Sequence, residues 1–440
     1  MTVPPERRSP RRKAFVPSIR DRLRAGTRAR RTLIAPGGSE PAPTRATGAM
    51  TARLVVAAFA RWSLAVAYAP LKLLPTRRKV VMISREHPEI PEDFAALRDA
   101  IIRSDASIEV VILVRMVPPG IIAKVGYILH MFAQLYHAAT SRVMVVDTYA
   151  IIASVLRHKR DLTIVQIWHA LGAFKKFGLS ILDQSEGRDG RLASAMRMHQ
   201  GYDIVLASGE PARAPFAEAL GTPEDRVVIA PLPRVDRLRD PAEAERVRAR
   251  VFAAHPHLRG QRVAVFAPTF RLDGSVGADA DALVTALAEH GVHTVVKLHP
   301  LMASDFGPGI DIAPGFSTQE MLQVADLFIT DYSSALFEAA VLGVPTYFLA
   351  PDLDAFLASR DFYLDYRNDL PGPIAESVTA LAEAVATGQA TPERSAAFAR
   401  RWVQVPGNPP PSAGSTPCAD RIARLVLEAV ESRSITLTEA

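Results

Sequence analysis

The segment Thr330-Asp331-Tyr332-Ser333-Ser334 follows the apolar run Leu327-Phe328-Ile329 and leads into a helical stretch that ends at Gly343. Ser333 and Ser334 are good helix N-caps. Their hydroxyls, the unpaired backbone N–H groups and the positive end of the helix dipole together favour a phosphate or pyrophosphate. Three other polar clusters stand directly after apolar runs. Trp168-His169-Ala170-Leu171-Gly172-Ala173-Phe174-Lys175-Lys176-Phe177-Gly178 follows residues 164–167, Ala267-Pro268-Thr269-Phe270-Arg271 follows 263–266, and His299-Pro300 follows 295–298. Histidine titrates near working pH and suits proton transfer. Arginine offers a planar fork for phosphate oxygens. Each cluster also has an ordinary structural reading: a satisfied histidine, a solvated lysine face, an arginine paired with a surface acid, a proline ending a strand. Four such clusters, all at strand ends, point instead to one site.

The elements that must carry these clusters read as strand and helix in alternation from Lys79 onward. Candidate strands are centred on 80–83, 110–114, 143–146, 164–167, 204–206 and 227–229, then on 263–266, 294–298, 327–329 and 345–349. Continuous apolar strands separated by helices indicate parallel sheets covered on both faces. Two such series predict an α/β protein with two doubly wound, Rossmann-like domains facing a cleft, ligands lying at the carboxyl ends of the strands. The expected division is a basic tail over 1–48, a membrane-proximal helix over 49–76, a first Rossmann-like domain over 77–245 and a second over 246–440.

A chain of 440 residues, 48% hydrophobic and 22% charged, is globular and long enough for two cores. The formal charge of +6 belongs to the tail: eleven basic residues precede position 32 against Glu6 and Asp21, leaving the remainder net acidic. That tail is expected to be disordered and suits an anionic membrane surface. Nucleic acid is not the expected partner, because a polyanion-binding role gives no reason for histidines at strand ends. The single cysteine, Cys418, excludes an intrachain disulfide and fits a reducing compartment. No signal peptide is evident.

Residues 54–68 are apolar enough to raise a transmembrane question, but Arg61 and Pro70 argue against a clean span. Arg53, Arg61 and Lys72 share one helical stripe, and Trp62 and Tyr68 suit a headgroup interface. The expectation is an in-plane amphipathic helix on the cytoplasmic face of the membrane, its alternative a helix docked on the core of the first domain.

Taken together, the clusters resemble the CDP-glycerol glycerophosphotransferase family, the teichoic acid primases and polymerases. The matching positions are Trp168-His169 with Lys175 and Gly178, Ala267-Pro268-Thr269 with Arg271, His299-Pro300, and Asp331-Tyr332-Ser333-Ser334. Pro233-Arg234-Val235-Asp236, Gly343-Val344-Pro345 and Phe362-Tyr363-Leu364-Asp365-Tyr366 extend the likeness, which runs from about 140 to 430. Ala170 departs from a frequent glycine, and residues 1–75 carry no family motif.

The resemblance implies transfer of glycerol phosphate or ribitol phosphate from a CDP-alditol to a hydroxyl of a lipid-linked acceptor, with release of CMP. It would make the domain over 77–245 the acceptor domain and that over 246–440 the CDP-alditol-binding domain. On that reading His169 is the base and His299 supports the leaving group. Arg271, Thr269, Asp331, Ser333, Ser334 and Glu338 line the donor, with Asp331 favoured as a turn brace and Glu338 as a helix-face acid. Lys175 and Lys176 hold the acceptor's phosphate. No carboxylate cluster marks a metal site, so no cofactor is expected beyond a Mg²⁺ ion carried by the donor. The competing enzyme class is a nucleotide-sugar glycosyltransferase of the same architecture.

Overall fold

Stretches such as Val143-Met144-Val145-Val146 become strands with both faces inside, as continuous apolar runs require. The computed structural model describes residues 45–116, 121–184, 187–269, 279–297, 310–404 and 416–431. The basic tail up to residue 44, Arg271, His299 and Pro300 therefore lie outside the described residues. Two compact units divide between Ala52 and Arg53, and both sheets belong to the second.

Among the described residues, the first sheet has six parallel strands: β1 (Lys79–Ser84), β2 (Glu109–Val114), β3 (Val143–Val146), β4 (Thr163–Gln166), β5 (Ile204–Ala207) and β6 (Val227–Ile229). Their spatial order is β2-β1-β3-β4-β5-β6. The second has β7 (Arg262–Ala267), β8 (Val292–Val296), β9 (Leu327–Thr330), β10 (Thr346–Leu349) and β11 (Ile374–Ala375) in the order β11-β10-β9-β7-β8. Every pairing is parallel. Chain order reverses between β1 and β3 in one sheet and between β7 and β9 in the other. These are the switch points where loops diverge and leave room for a ligand.

Six helices matter for the site: α1 (Arg45–Leu71), α2 (Glu92–Ser104), α3 (Ile121–Thr140), α4 (Pro241–Ala254), α5 (Ala335–Val341) and α6 (Cys418–Glu431). Helix α1 begins at Arg45, inside the stretch expected to belong to the disordered tail, and stops at Leu71, short of the expected 76. From Ala57 onward it carries two apolar stripes on opposite faces. Tyr68, Leu64, Ala67 and Leu71 pack on Val81 and Met144 of the first sheet, while Phe59, Trp62 and Val66 are 52–65% exposed. A strand shows both faces in turn, so Val80 and Met82 pack the other way, with Phe94 and Leu97 of α2.

Helix α6 completes that second layer. Ile422, Leu425 and Val426 join the cluster of Phe94 and Leu97, so the last described helix lies against the first sheet although its sequence follows the second. Asp236 fixes its start by accepting from the backbone N–H groups of Cys418 and Ala419, both at 2.9 Å.

Candidate functional site

His169 stands two residues beyond Ile167, whose N–H extends the β4 ladder by donating to Val146 at 2.8 Å. Buried Gln166 braces the turn from both sides: its side-chain amide donates to the Thr148 carbonyl at 3.0 Å, and its oxygen accepts from the Trp168 N–H at 2.9 Å. Trp168 has φ +58°, an uncommon value for a bulky residue that swings the chain back over the strand ends. Its indole stacks on Phe177 with ring centroids 4.6 Å apart.

This bend brings His169 Nδ1 within 3.1 Å of the Asp147 carbonyl at the end of β3. A carbonyl only accepts, so Nδ1 carries the proton and Nε2 of the neutral ring presents a lone pair. His169 is exposed to solvent, although neighbouring groups desolvate its ring. Desolvation lowers its pKa, against opposing pulls from the Asp147 carbonyl and Glu86. A neutral imidazole with an open Nε2 is the form a general base needs.

Asp147 is buried beside it, and neither of its carboxylate oxygens makes a hydrogen bond of ordinary geometry. Burial pushes this carboxyl up to about 7, against the Ser84 hydroxyl, while Glu86 and Asp93 push the same way as burial. Asp147 was not among the expected site residues. Its signal was present, since Asp147-Thr148 directly follows the apolar run of β3 as His169 follows β4.

The loop after β4 then runs onto the second sheet's elements. Gly172 meets α5 so closely that a Cβ would lie 2.4 Å from the Phe337 ring. Phe174 stacks on Tyr366, with centroids 6.0 Å apart. Lys175 bridges to Phe362 along the backbone, and its ammonium lies 5.8 Å from the Phe356 ring centroid. Lys176 donates to Asp361 at 2.5 Å, so it joins an exposed ion pair. Gly178 has φ +60° and faces the Ala219 carbonyl, leaving no room for a side chain.

On the second sheet, Asp331 Oδ1 accepts from the Thr269 N–H at 2.8 Å and from the Tyr332 N–H at 2.6 Å. The Tyr366 hydroxyl donates to the Asp331 carbonyl at 2.8 Å. Asp331 thus ties the carboxyl ends of β7 and β9 together at the switch point. Ser333 Oγ accepts from the Ala335 N–H at 3.3 Å, and Ser334 is exposed at the start of α5.

Glu338 is not on a solvated helix face: it is buried, and burial raises its pKa against the nearby Arg234 guanidinium. Arg234 contacts Glu338 at 3.2 Å and Asp93 of α2 at 2.5 Å, and its backbone N–H donates to the other Asp93 oxygen at 2.8 Å. The Pro-Arg-x-Asp turn therefore joins α2 to α5 through a buried guanidinium between two carboxylates. Among the described residues, His169 with Asp147 and Thr269 with Asp331 are brought together, each pair across a switch point or the strand next to it.

A sequence model of the CDP-Glycerol:Poly(glycerophosphate) glycerophosphotransferase family matches residues 67–407. The teichoic acid ribitol-phosphate primase of Bacillus spizizenii is 31% identical over 346 residues, spanning 75% of this chain and 88% of that protein. The teichoic acid glycerol-phosphate primase of Bacillus subtilis is 26% identical over 257 residues, 56% of this chain and 65% of its own length. The chain spans about half the length of the poly(ribitol-phosphate) polymerase of Bacillus spizizenii, 51% of it at 30% identity. The solved wall teichoic acid polymerase TagF superposes with a TM-score of 0.62 at 19% identity, covering 89% of this chain and 99% of that one, a likeness of fold.

Proposed function

The chain belongs to the CDP-glycerol glycerophosphotransferase family, and from that premise we propose that it transfers an alditol phosphate from a CDP-alditol to a hydroxyl of a lipid-linked cell-wall polymer precursor. The acceptor oxygen forms a bond to the alditol-bearing phosphorus while the pyrophosphate bridge breaks. The acceptor's proton passes to His169 Nε2, and the electron pair of the broken bond leaves with CMP. The observation that carries this reading is the Asp147 carbonyl holding His169 Nδ1–H, which leaves Nε2 unprotonated where an alcohol can be deprotonated.

The donor is assigned to the turn where Thr269 and Asp331 meet, with Ser333 and Ser334 beside it. The two switch points support a cleft between two doubly wound lobes with the cytidine diphosphate inside. Arg271 and His299, outside the described residues, are assigned to the pyrophosphate and the leaving group by the family pattern. Positioning and electrostatics carry most of phosphoryl transfer, and these cations make a resident metal unnecessary. Lys175 and Lys176 are assigned to the acceptor's phosphate by the family pattern, and Lys176 also pairs with Asp361.

The exposed stripe of α1 supports peripheral binding to the cytoplasmic membrane face. Helix α3 adds Ile128, Leu129 and Phe132, all exposed. A cavity of about 560 Å³ below α1 is lined by Arg61, Trp62, Tyr68, Lys72, Arg157 and Arg197, a mixture of aromatic and cationic groups suited to anionic headgroups.

CDP-ribitol is the first donor to test, because the ribitol-phosphate primase matches over more of the chain than the glycerol-phosphate primase does. The assay supplies CDP-ribitol, CDP-glycerol or a UDP-sugar with a defined prenyl-linked acceptor, with and without Mg²⁺, and weighs the product. One CDP-alditol should add its phosphate at a Mg²⁺-independent rate. His169→Ala should lower that rate by about 10²-fold or more with the thermal transition unchanged. Turnover of the UDP-sugar alone would establish the glycosyltransferase instead.

A further inference from the structure

The His255-Pro256-His257 turn closes α4 at the edge of the second sheet. There it meets His293 of β8 and Asp311. The Nε2 atoms of His257 and His293 lie 2.7 and 2.9 Å from one carboxylate oxygen, Oδ2 of Asp311. His255, His257 and Asp311 each offer a ligand atom within 4.8 Å of the other two. The ring centroids of His257 and His293 are 5.5 Å apart, and those of His255 and His257 are 5.9 Å apart.

The supporting groups orient this cluster as metal sites require. The second oxygen of Asp311, Oδ1, accepts from the Ala313 N–H at 2.9 Å, which fixes the carboxylate plane and leaves Oδ2 to the imidazoles. His255 Nε2 lies 3.3 Å from the Pro314 carbonyl, so a proton there leaves the lone pair on Nδ1. Asp311 is itself anchored, its carbonyl accepting from the Val296 N–H at 2.8 Å in a parallel bridge to β8. His257 is exposed, so an ion can enter from solution.

We propose that His255, His257, His293 and Asp311 form a structural Zn²⁺ site that fastens the turn after α4 and the Asp311 bridge to the edge strand β8. Three imidazoles and one carboxylate are a zinc donor set, and four protein ligands close the tetrahedron as in structural sites. Tetrahedral zinc separates its ligands by about 3.3 Å, so the two Asp311 contacts open by about half an ångström while the imidazoles, of which His255 and His257 already lie within 4.8 Å of one another and of Asp311, close in around the ion. His257 and His293 each shift their proton to Nδ1, and the Nε2 lone pairs then face the ion. Sequence gives little sign of this site because its ligands come from three separate segments and only one is a carboxylate.

The test uses the full chain stripped of metal by dialysis and titrated with ZnCl₂ by calorimetry. One Zn²⁺ should bind per chain with a Kd of about 1 μM or tighter, unaffected by excess Mg²⁺. Saturating Zn²⁺ should raise Tm by several degrees, and Co²⁺ in its place should give the visible absorption of a tetrahedral ion. His257→Ala/His293→Ala, which removes one exposed and one half-buried ring, should lose all three signals while keeping the circular dichroism of the parent. Asp311→Asn should weaken binding at least tenfold. Absence of binding at about 100 μM Zn²⁺, or equal binding by the double variant, would overturn the proposal.

Discussion

A carboxyl that holds its proton to about pH 7 sits directly behind the candidate base, and that has a consequence for stability. The unfolded chain gives up the Asp147 proton near 3.8, whereas the folded chain keeps it to about 7. Between those values the folded state binds more protons, so Asp147 makes unfolding easier as pH rises, and the loss is complete above the folded pKa. Asp147→Asn preserves shape and the backbone carbonyl under His169 while removing the ionisation. Its Tm advantage over the parent should therefore be larger at about pH 8 than at about pH 5 in thermal scans. An equal shift at both pH values would show that the carboxyl ionises freely in the folded protein.

At the scale of elements, the loop from Trp168 to Gly178 positions the base by leaning on α5. Gly172→Ala places a methyl group against the Phe337 ring, and both backbones are held, so about 1–3 kcal/mol of stability should be lost in denaturant titrations. Phe337→Leu, introduced with it, should recover part of that loss, whereas two independent costs would add. The strand runs were legible in sequence because parallel strands buried on both faces are apolar throughout, and the four strand-end clusters were legible for the same reason. What escaped was the consequence of burial. Glu338 occupies a helix position that reads as solvated, yet Arg234 arrives from more than a hundred residues away to pair with it. Helix α1 reads ambiguously because it has two apolar stripes rather than one: the inner covers the sheet, and the outer leaves Phe59, Trp62 and Val66 bare. Replacing those three with serine should reduce sedimentation with anionic vesicles while leaving transfer to a water-soluble acceptor analogue unchanged; equal sedimentation would remove α1 from the membrane contact.

Across the whole molecule, Arg234 is the side chain that ties α2 on the first sheet to α5 on the second, and its charge is maintained by Asp93 and Glu338 against the cost of burial. Arg234→Met leaves both carboxylates buried without a cation and should lower unfolding free energy by about 3–5 kcal/mol. Arg234→Lys should restore little, since an ammonium cannot reproduce the fork that reaches both acids. A denaturation midpoint unchanged in the methionine variant would mean that the two carboxyls are protonated in place.

Helix α6 has a consequence of another kind. It is made after both sheets, yet Ile422 and Val426 cover Phe94 and Leu97, which were synthesised more than three hundred residues earlier. During translation that earlier surface must go without α6 until the ribosome has passed residue 431, so the nascent chain spends most of its synthesis exposing the patch a chaperone would recognise.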